Sequence, residues 1–169
     1  MSSAVPDRAM IQSVNVVPFV GDRCVVVEGS GGHLTLPGGT REVGESLLET
    51  ARRELMEEAG ATVTSLLPVG FWTCHSDSSE PWRPFLAHPH YVRQVLAGDV
   101  ELTHRPTNPD DGEHIVRVTV VDVAEAFAGF VASGQPELAD LYGLAAQIRT
   151  GNSLGAAARS AFDEAMAAK

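Results

Sequence analysis

Two valine-rich runs open the ordered part of the chain, residues 11–19 and 23–28, with Gly21-Asp22 between them. Branched side chains on either side of a glycine–aspartate turn predict two strands joined as a hairpin. Residues 29–32 read as a loop and residues 33–36 as a short extended piece, which Pro37-Gly38-Gly39 is expected to break. The spacing then changes. Leu48, Ala51, Leu55 and Ala59 recur every three or four positions, the period of an amphipathic helix. Ser46 followed by Glu49 predicts a capping box at its start, and Gly60 stands where a left-handed residue would stop it.

Beyond that helix, residues 62–74 and 90–96 predict strands, while the intervening HSDSSEPWRPFLAHPH holds too many turn formers to be regular. Residues 102–112 read as a second polar loop and residues 114–121 as a strand. Asp122 is placed to cap a helix reaching Phe130, and residues 138–149 and 154–168 have helical patterns separated by Gly151-Asn152-Ser153. Strands and helices mix without strict alternation, which predicts an α+β or layered α/β/α domain. The expected organisation is a tail over 1–9, a domain over 10–133 and a helical extension over 134–169, packed on the domain or on a second subunit.

Composition narrows the classes. With 44% apolar residues in 169, the chain can bury a core and is not disordered. No apolar run approaches the ~20 residues of a membrane span, and MSSAVPDRAM lacks the features of a secretory signal, so a cytoplasmic protein is expected. Cys24 and Cys74 are too few for a disulfide framework and read as reduced thiols. A net charge of −10 argues against a nucleic-acid surface. A small phosphorylated ligand is still compatible, provided divalent cations stand between the two sets of negative charge.

The chemistry concentrates in the helix. Glu54, Glu57 and Glu58 fall within little more than one turn, on an arc of roughly 100° beside the apolar stripe. Like charges at that spacing repel, so the arrangement calls for a cation. An oxygen-rich patch suits Mg²⁺, which takes octahedral oxygen ligands and keeps several waters for exchange with phosphate oxygens. Arg53 lies four residues before Glu57 and can hold its carboxylate in place, while Gly38 and Gly39 allow close backbone approach and offer a carbonyl.

Gly39, five residues, Glu45, seven residues, then Arg53-Glu54-Leu55-Met56-Glu57-Glu58-Ala59-Gly60 resembles the box of the Nudix hydrolase (MutT-like) family. By background residue usage a chance match per window is on the order of 10⁻⁸. Glu42 and Gly44 fit the extended form of the box, and the departure is Ala61, where a larger aliphatic residue is usual. The resemblance implies a Nudix α/β/α sandwich, here with extra C-terminal helices, and a pyrophosphohydrolase. Its substrate class would be a nucleoside diphosphate linked to another moiety, and its cofactor Mg²⁺ or Mn²⁺. It assigns Glu57, Glu58 and the Gly39 carbonyl to the metal, and Glu54 as a further ligand or the general base. Arg53 would orient the acids, and Glu45 would brace the loop. In some relatives the base comes from a later loop, for which Glu113 is first choice, ahead of Asp110 and Asp111. Many relatives are dimers, so a homodimer is among the expectations.

Substrate choice is less legible. The proline and tyrosine markers of ADP-ribose and dinucleoside polyphosphate hydrolases are missing from their usual places downstream of the box. Trp82, Arg83 and Phe85 are the candidates for substrate binding, the rings by stacking and the guanidinium by meeting a phosphate. His75, His88 and His90 lack suitably spaced cysteines and are set aside as zinc ligands. Two alternatives stand beside the hydrolase reading. One is a same-fold enzyme acting on a non-nucleotide diphosphate, including isoprenoid diphosphate isomerisation. The other is a non-catalytic nucleotide-sensing module.

Overall fold

The computed structural model describes residues 7–109 and 114–151, together with residue 164 and residues 166–168. Strands β1 (Ile11–Val20) and β2 (Arg23–Gly29) form the expected hairpin, with Phe19 opposite Cys24 and Val20 opposite Arg23. β1 is the organising strand. On its other edge it pairs in parallel with β6 (His90–Leu102), which continues antiparallel to β5 (Ala61–His75). β2 carries β3 (Leu34–Thr35) and, antiparallel along most of its length, β7 (Ile115–Val121). The result is one mixed seven-stranded sheet, β3-β2-β1-β6-β5, with β4 (Gly38–Thr40) on β1 and β7 on β2.

Alternation along the two valine-rich strands divides the core. Val14, Val16, Val25 and Val27 face one side, where they meet Leu47, Ala51, Leu55 and Ala59 of helix α1 (Leu47–Ala59). Val17, Phe19, Cys24 and Val26 face the other, against helices α2 (Val123–Ala132) and α3 (Pro136–Gly151). A sheet covered on both faces needs apolar residues at successive positions, which is why these strands read as continuous runs. Tyr142 of α3 is fully buried and donates its hydroxyl to the Val25 carbonyl at 3.0 Å, tying the helical layer to the sheet's interior. Met166 packs into the core on the α1 side. Cys24 is buried as expected, and burial pushes its thiol up to about 11.

Three sequence expectations need correction. Pro37-Gly38-Gly39 does not simply break the chain. Gly38–Thr40 forms β4, with Thr40 opposite Ser13, Gly39 opposite Val14 and Gly38 opposite Asn15. The strand starting at His90 does not end at 96 but continues to Leu102, because β1 and β5 flank it through Gly98 and Asp99. Asp122 occupies the N-cap of α2 in extended conformation but makes no side-chain cap bond; its carboxylate lies 3.5 Å from Arg23. The helical pattern at 154–163 lies outside the described residues. Among the described residues no helix is long and apolar enough to cross a membrane.

Candidate active site

Helix α1 has the ends its sequence predicts. Ser46 N–H donates to Glu49 Oε2 at 2.8 Å and Glu49 N–H donates to Ser46 Oγ at 3.2 Å, a reciprocal capping box. Gly60 closes the helix at φ 62°, a left-handed conformation that a side chain would strain. Between the caps the buried positions are Leu47, Thr50, Ala51, Glu54, Leu55, Glu58 and Ala59. Glu54 and Glu58 are thus as deeply placed as leucines, at 7% and 6% exposure. Ala61 sits in the core at 1% exposure and fills the packing position where a larger residue is usual.

Arg53 organises the acids. Its Nε and Nη2 donate to the two oxygens of Glu45 at 2.8 and 3.0 Å, a bidentate pair. Nη2 also donates to the Thr40 carbonyl at 3.0 Å, so the guanidinium bridges helix and β4. Nη1 is shared by Glu54 Oε1 at 2.7 Å and Glu57 Oε2 at 3.2 Å. Glu45 is braced further by the Glu42 N–H at 2.9 Å and the Thr50 hydroxyl at 3.0 Å. One side chain therefore sets the positions of three carboxylates and one strand.

The Gly-Gly pair lies against the same helix. Gly38 N–H donates to Glu58 Oε2 at 2.9 Å. Gly39 packs so closely on Glu54 that an added Cβ would stand within 3.0 Å of both carboxylate oxygens. Only glycine permits that approach. Pairing of β4 with β1 holds the backbone there, so the sheet register itself aims Gly39 at Glu54.

The protonation equilibria are pulled in opposite directions. For Glu45, burial alone would raise the carboxyl; the Arg53 and Glu42 hydrogen bonds outweigh it and bring it down to about 2. For Glu54, burial dominates and lifts it above the usual carboxylate range, with Arg53 only partly compensating and Glu57 and Glu45 adding repulsion. Arg53 is raised, first by its bonds to Glu45. Burial thus works against the ionised form of Glu54, while the Arg53 and Glu42 bonds favour that of Glu45.

Three carboxylates, Glu45, Glu54 and Glu57, share the Arg53 guanidinium, and Glu58 lies buried beside them on the Gly38 N–H. A hard divalent cation fits that donor set: it offsets the excess charge, and the cradle at Gly39 leaves room for oxygens and none for a Cβ. Among the described residues no three acidic, imidazole or thiol groups already stand in a ligating arrangement. Glu54 and Glu57 are turned to Arg53 and Glu58 to the Gly38 N–H. A bound ion would compete with those donors for the same oxygens.

Glu113, Asp110 and Asp111 lie outside the described residues. The segment before them is tied to the cluster: Thr107 N–H donates to the Glu57 carbonyl at 3.0 Å. Asn108, at φ 47°, clamps both backbone groups of Ile115 with its amide, at 2.9 and 2.8 Å. No motif in the sequence pointed to that clamp; an asparagine bounding a polar loop was the only hint.

The candidate loop residues part company. Phe85 lines a cavity of about 190 Å³ together with Gln12, Arg41, Glu42, Val43 and Leu86, among others. Trp82 does not line it and is 82% exposed. Arg83 does not line it either. Gln12 donates to the Ala87 carbonyl, fastening the loop's end to β1. Sequence reasoning missed Gln12 and Arg41; Arg41 occupies a position that the box spacing leaves open. His75 and His90 meet at 3.4 Å between Nδ1 atoms, while His88 Nε2 faces the Ser78 carbonyl at 2.9 Å.

The sequence profile of the NUDIX domain matches residues 10–142. Comparison with curated proteins gives no match. Among solved structures, the chain resembles a NUDIX hydrolase from Nitrosomonas europaea, with 22% identity, TM-score 0.58 and coverage of 79% of this chain and 87% of that one. It resembles the pyrophosphohydrolase BsRppH of Bacillus subtilis at 20% identity and TM-score 0.54, over 70% of this chain and 66% of that one. An ADP compounds hydrolase is similar at 17% identity and TM-score 0.55, over 83% and 75%. At these identities the structural likenesses speak to the fold: a mixed sheet between helical layers, the α/β/α sandwich expected above.

Proposed function

The chain belongs to the NUDIX domain family, and from that premise we propose that it is a Mg²⁺- or Mn²⁺-dependent pyrophosphohydrolase. Its substrate would be a nucleoside diphosphate linked to another moiety. The observation that carries the reading is the burial of Glu54 and Glu58 against Gly38 and Gly39, with Glu45, Glu54 and Glu57 sharing the Arg53 guanidinium. A merely solubilising acidic face would be exposed and would not require glycine opposite it.

In this reading Glu57, Glu58 and the Gly39 carbonyl hold the ion, with Glu54 beside them. When bound, such an ion neutralises phosphate charge and lowers the pKa of a coordinated water. The chain's own residues do the rest. Glu54, lifted by burial, takes a proton from the attacking water. The water oxygen forms a bond to phosphorus, the bridging P–O bond breaks, and the two halves leave as phosphates. Arg53 keeps Glu54 and Glu57 in register, and Glu45 fixes Arg53. Glu113 is retained as the alternative base. Phe85, with Trp82 and Arg83 on the same loop, is assigned to substrate binding.

The test is hydrolysis of a panel of diphosphate compounds with MgCl₂, MnCl₂ or EDTA. Turnover is expected only with a divalent ion. Glu57→Gln and Glu58→Gln are each expected to lower kcat at least about 100-fold, the scale for losing an electrostatic contact made in the transition state, with the fold intact. Full turnover by Glu57→Gln would remove that carboxylate from the metal. Nucleotide binding without turnover of any compound would favour the sensing module instead.

A further inference from the structure

The cavity beside the box loop has a composition that selects among ligands. Its wall carries Phe85, 47% exposed, and Val43, 77% exposed, two apolar side chains left facing outward on opposite segments. Between them lie Gln12, Arg41 and Glu42. Arg41 is held rigidly: Nη1 donates to the Ile11 carbonyl at 3.3 Å and Nη2 to the Glu45 carbonyl at 2.7 Å. Its Nε is buried without a hydrogen-bond partner. Its hydrogen-bond partners are neutral carbonyls, so a fixed donor group stands beside a carboxylate, Glu42, in one small space.

We infer that this cavity is the subsite for the nucleobase of the substrate, with Phe85 and Val43 enclosing the ring and Arg41 and Glu42 reading its polar edge. Rigid aromatic and aliphatic walls suit a flat ring. A base presents acceptors and donors on one edge, so it satisfies a guanidinium and a carboxylate at once. A phosphate would meet the Arg41 charge but be repelled by Glu42. Volume points the same way: about 190 Å³ is below the ~300–1,000 Å³ of pockets that enclose a whole drug-sized ligand. One moiety fits, with the remainder of the molecule outside. Position agrees as well. Arg41 follows Thr40, whose carbonyl Arg53 holds, so the cavity and the glutamate cluster share the loop from β4 to α1.

The inference rests on the nucleotide reading above but is tested without catalysis. A ¹⁵N-HSQC titration with AMP in EDTA, against ribose 5-phosphate as comparison, reads the base separately from the sugar phosphate. AMP is expected to shift the amides of Val43, Gly44, Leu86 and Ala87, and ribose 5-phosphate to leave them in place. Phe85→Ala should raise the AMP Kd at least about fivefold, the lower end for losing one base–aromatic stack. Val43→Glu, at an exposed position that does not threaten the fold, should weaken AMP as well, and Phe127→Ala on the remote face of α2 should not. If ribose 5-phosphate moved the same amides equally, or if AMP bound with unchanged affinity to both cavity variants, the assignment would fall. A hydrolysis panel that fails while these shifts persist would refute the enzyme and leave the base site standing.

Discussion

Replacing Arg53 tests the architecture of the acidic cluster most directly. Arginine makes five hydrogen bonds here, to Glu45 twice, Glu54, Glu57 and the Thr40 carbonyl, between 2.7 and 3.2 Å. Lysine keeps the charge but has three donors on a compact head and cannot reproduce the bidentate grip on Glu45. Losing two charge-assisted bonds, at roughly 1.5 kcal/mol net each for this partly exposed group, predicts that Arg53→Lys costs about 3 kcal/mol. Arg53→Met removes the charge too and leaves the buried Glu54 without its arginine partner and Glu45 on two weaker donors, which predicts about 3–5 kcal/mol. For a chain of this size each kcal/mol is about 2–4 °C in Tm.

The pH dependence separates this account from a simple packing loss. In the wild type Glu45 titrates near 2, so its stabilisation is complete above its ordinary 4.5 and disappears as pH falls from 4.5 through 2. Without Arg53 only the Glu42 N–H and the Thr50 hydroxyl hold Glu45 down against burial, so most of its depression, and the stability linked to it, is lost. The gap between wild type and Arg53→Met should therefore widen from pH 3 to pH 7. Urea denaturation across that range, in EDTA, measures it; at neutral pH, added MgCl₂ should narrow the gap by supplying part of the missing positive charge. A gap below about 1 kcal/mol at pH 7, or one that did not change with pH, would refute the claim that Arg53 neutralises these acids.

Two further outcomes follow from the same geometry. Gly39→Ala forces a methyl group into the Glu54 carboxylate, so it should cost about 1–3 kcal/mol and lower kcat without altering any charge, as read by denaturation and by the hydrolysis panel. Glu54 behaves oppositely to Glu45: burial raises it, so the wild type loses stability as pH climbs from 4.5 through its folded value. Glu54→Gln does not titrate and should flatten that limb in EDTA, gaining on the wild type at pH 7 relative to pH 4; an unchanged slope would argue against a buried, charged Glu54.

Local signals proved legible and tertiary ones did not. The ends of α1 were readable because a capping box and a left-handed glycine are complete within a few residues. Gly38–Thr40 resisted reading because proline and glycine are depleted in strands; what makes β4 a strand is pairing with Ser13, Val14 and Asn15, some 25 residues upstream. The extension of β6 has the same cause. Gly98 and Asp99 are poor strand residues, yet Pro18 and Phe19 flank them on one side and Leu66 and Ser65 on the other. The Asp99 charge is met by Arg149 at 2.6 Å and by the Ser65 hydroxyl at 2.6 Å. Trp82 and Phe85 show the limit in the site itself. They are three residues apart in one loop, and only the folded chain sets one against Arg41 and Val43 and leaves the other in solvent.

The repulsion within α1 also explains why the helix is so firmly capped and packed. Glu54, Glu57 and Glu58 destabilise it from within, and isolated helices of this length are marginal even without such a burden. Stability has to come from outside the acidic arc. It comes from the reciprocal cap at Ser46, from the stripe Leu47, Ala51, Leu55 and Ala59 on the sheet, and from the Gly60 carbonyl, which accepts the N–H groups of Thr103 and His104 at 3.0 Å each. Arg53 binds Glu54 and Glu57 through a single nitrogen. That leaves Glu54 and Glu57 positioned but dependent on one shared donor. Positioned acids can exchange an arginine N–H for a metal ion without moving the backbone, because sheet pairing through β4 and the capped helix hold Gly39 and the glutamates from opposite sides.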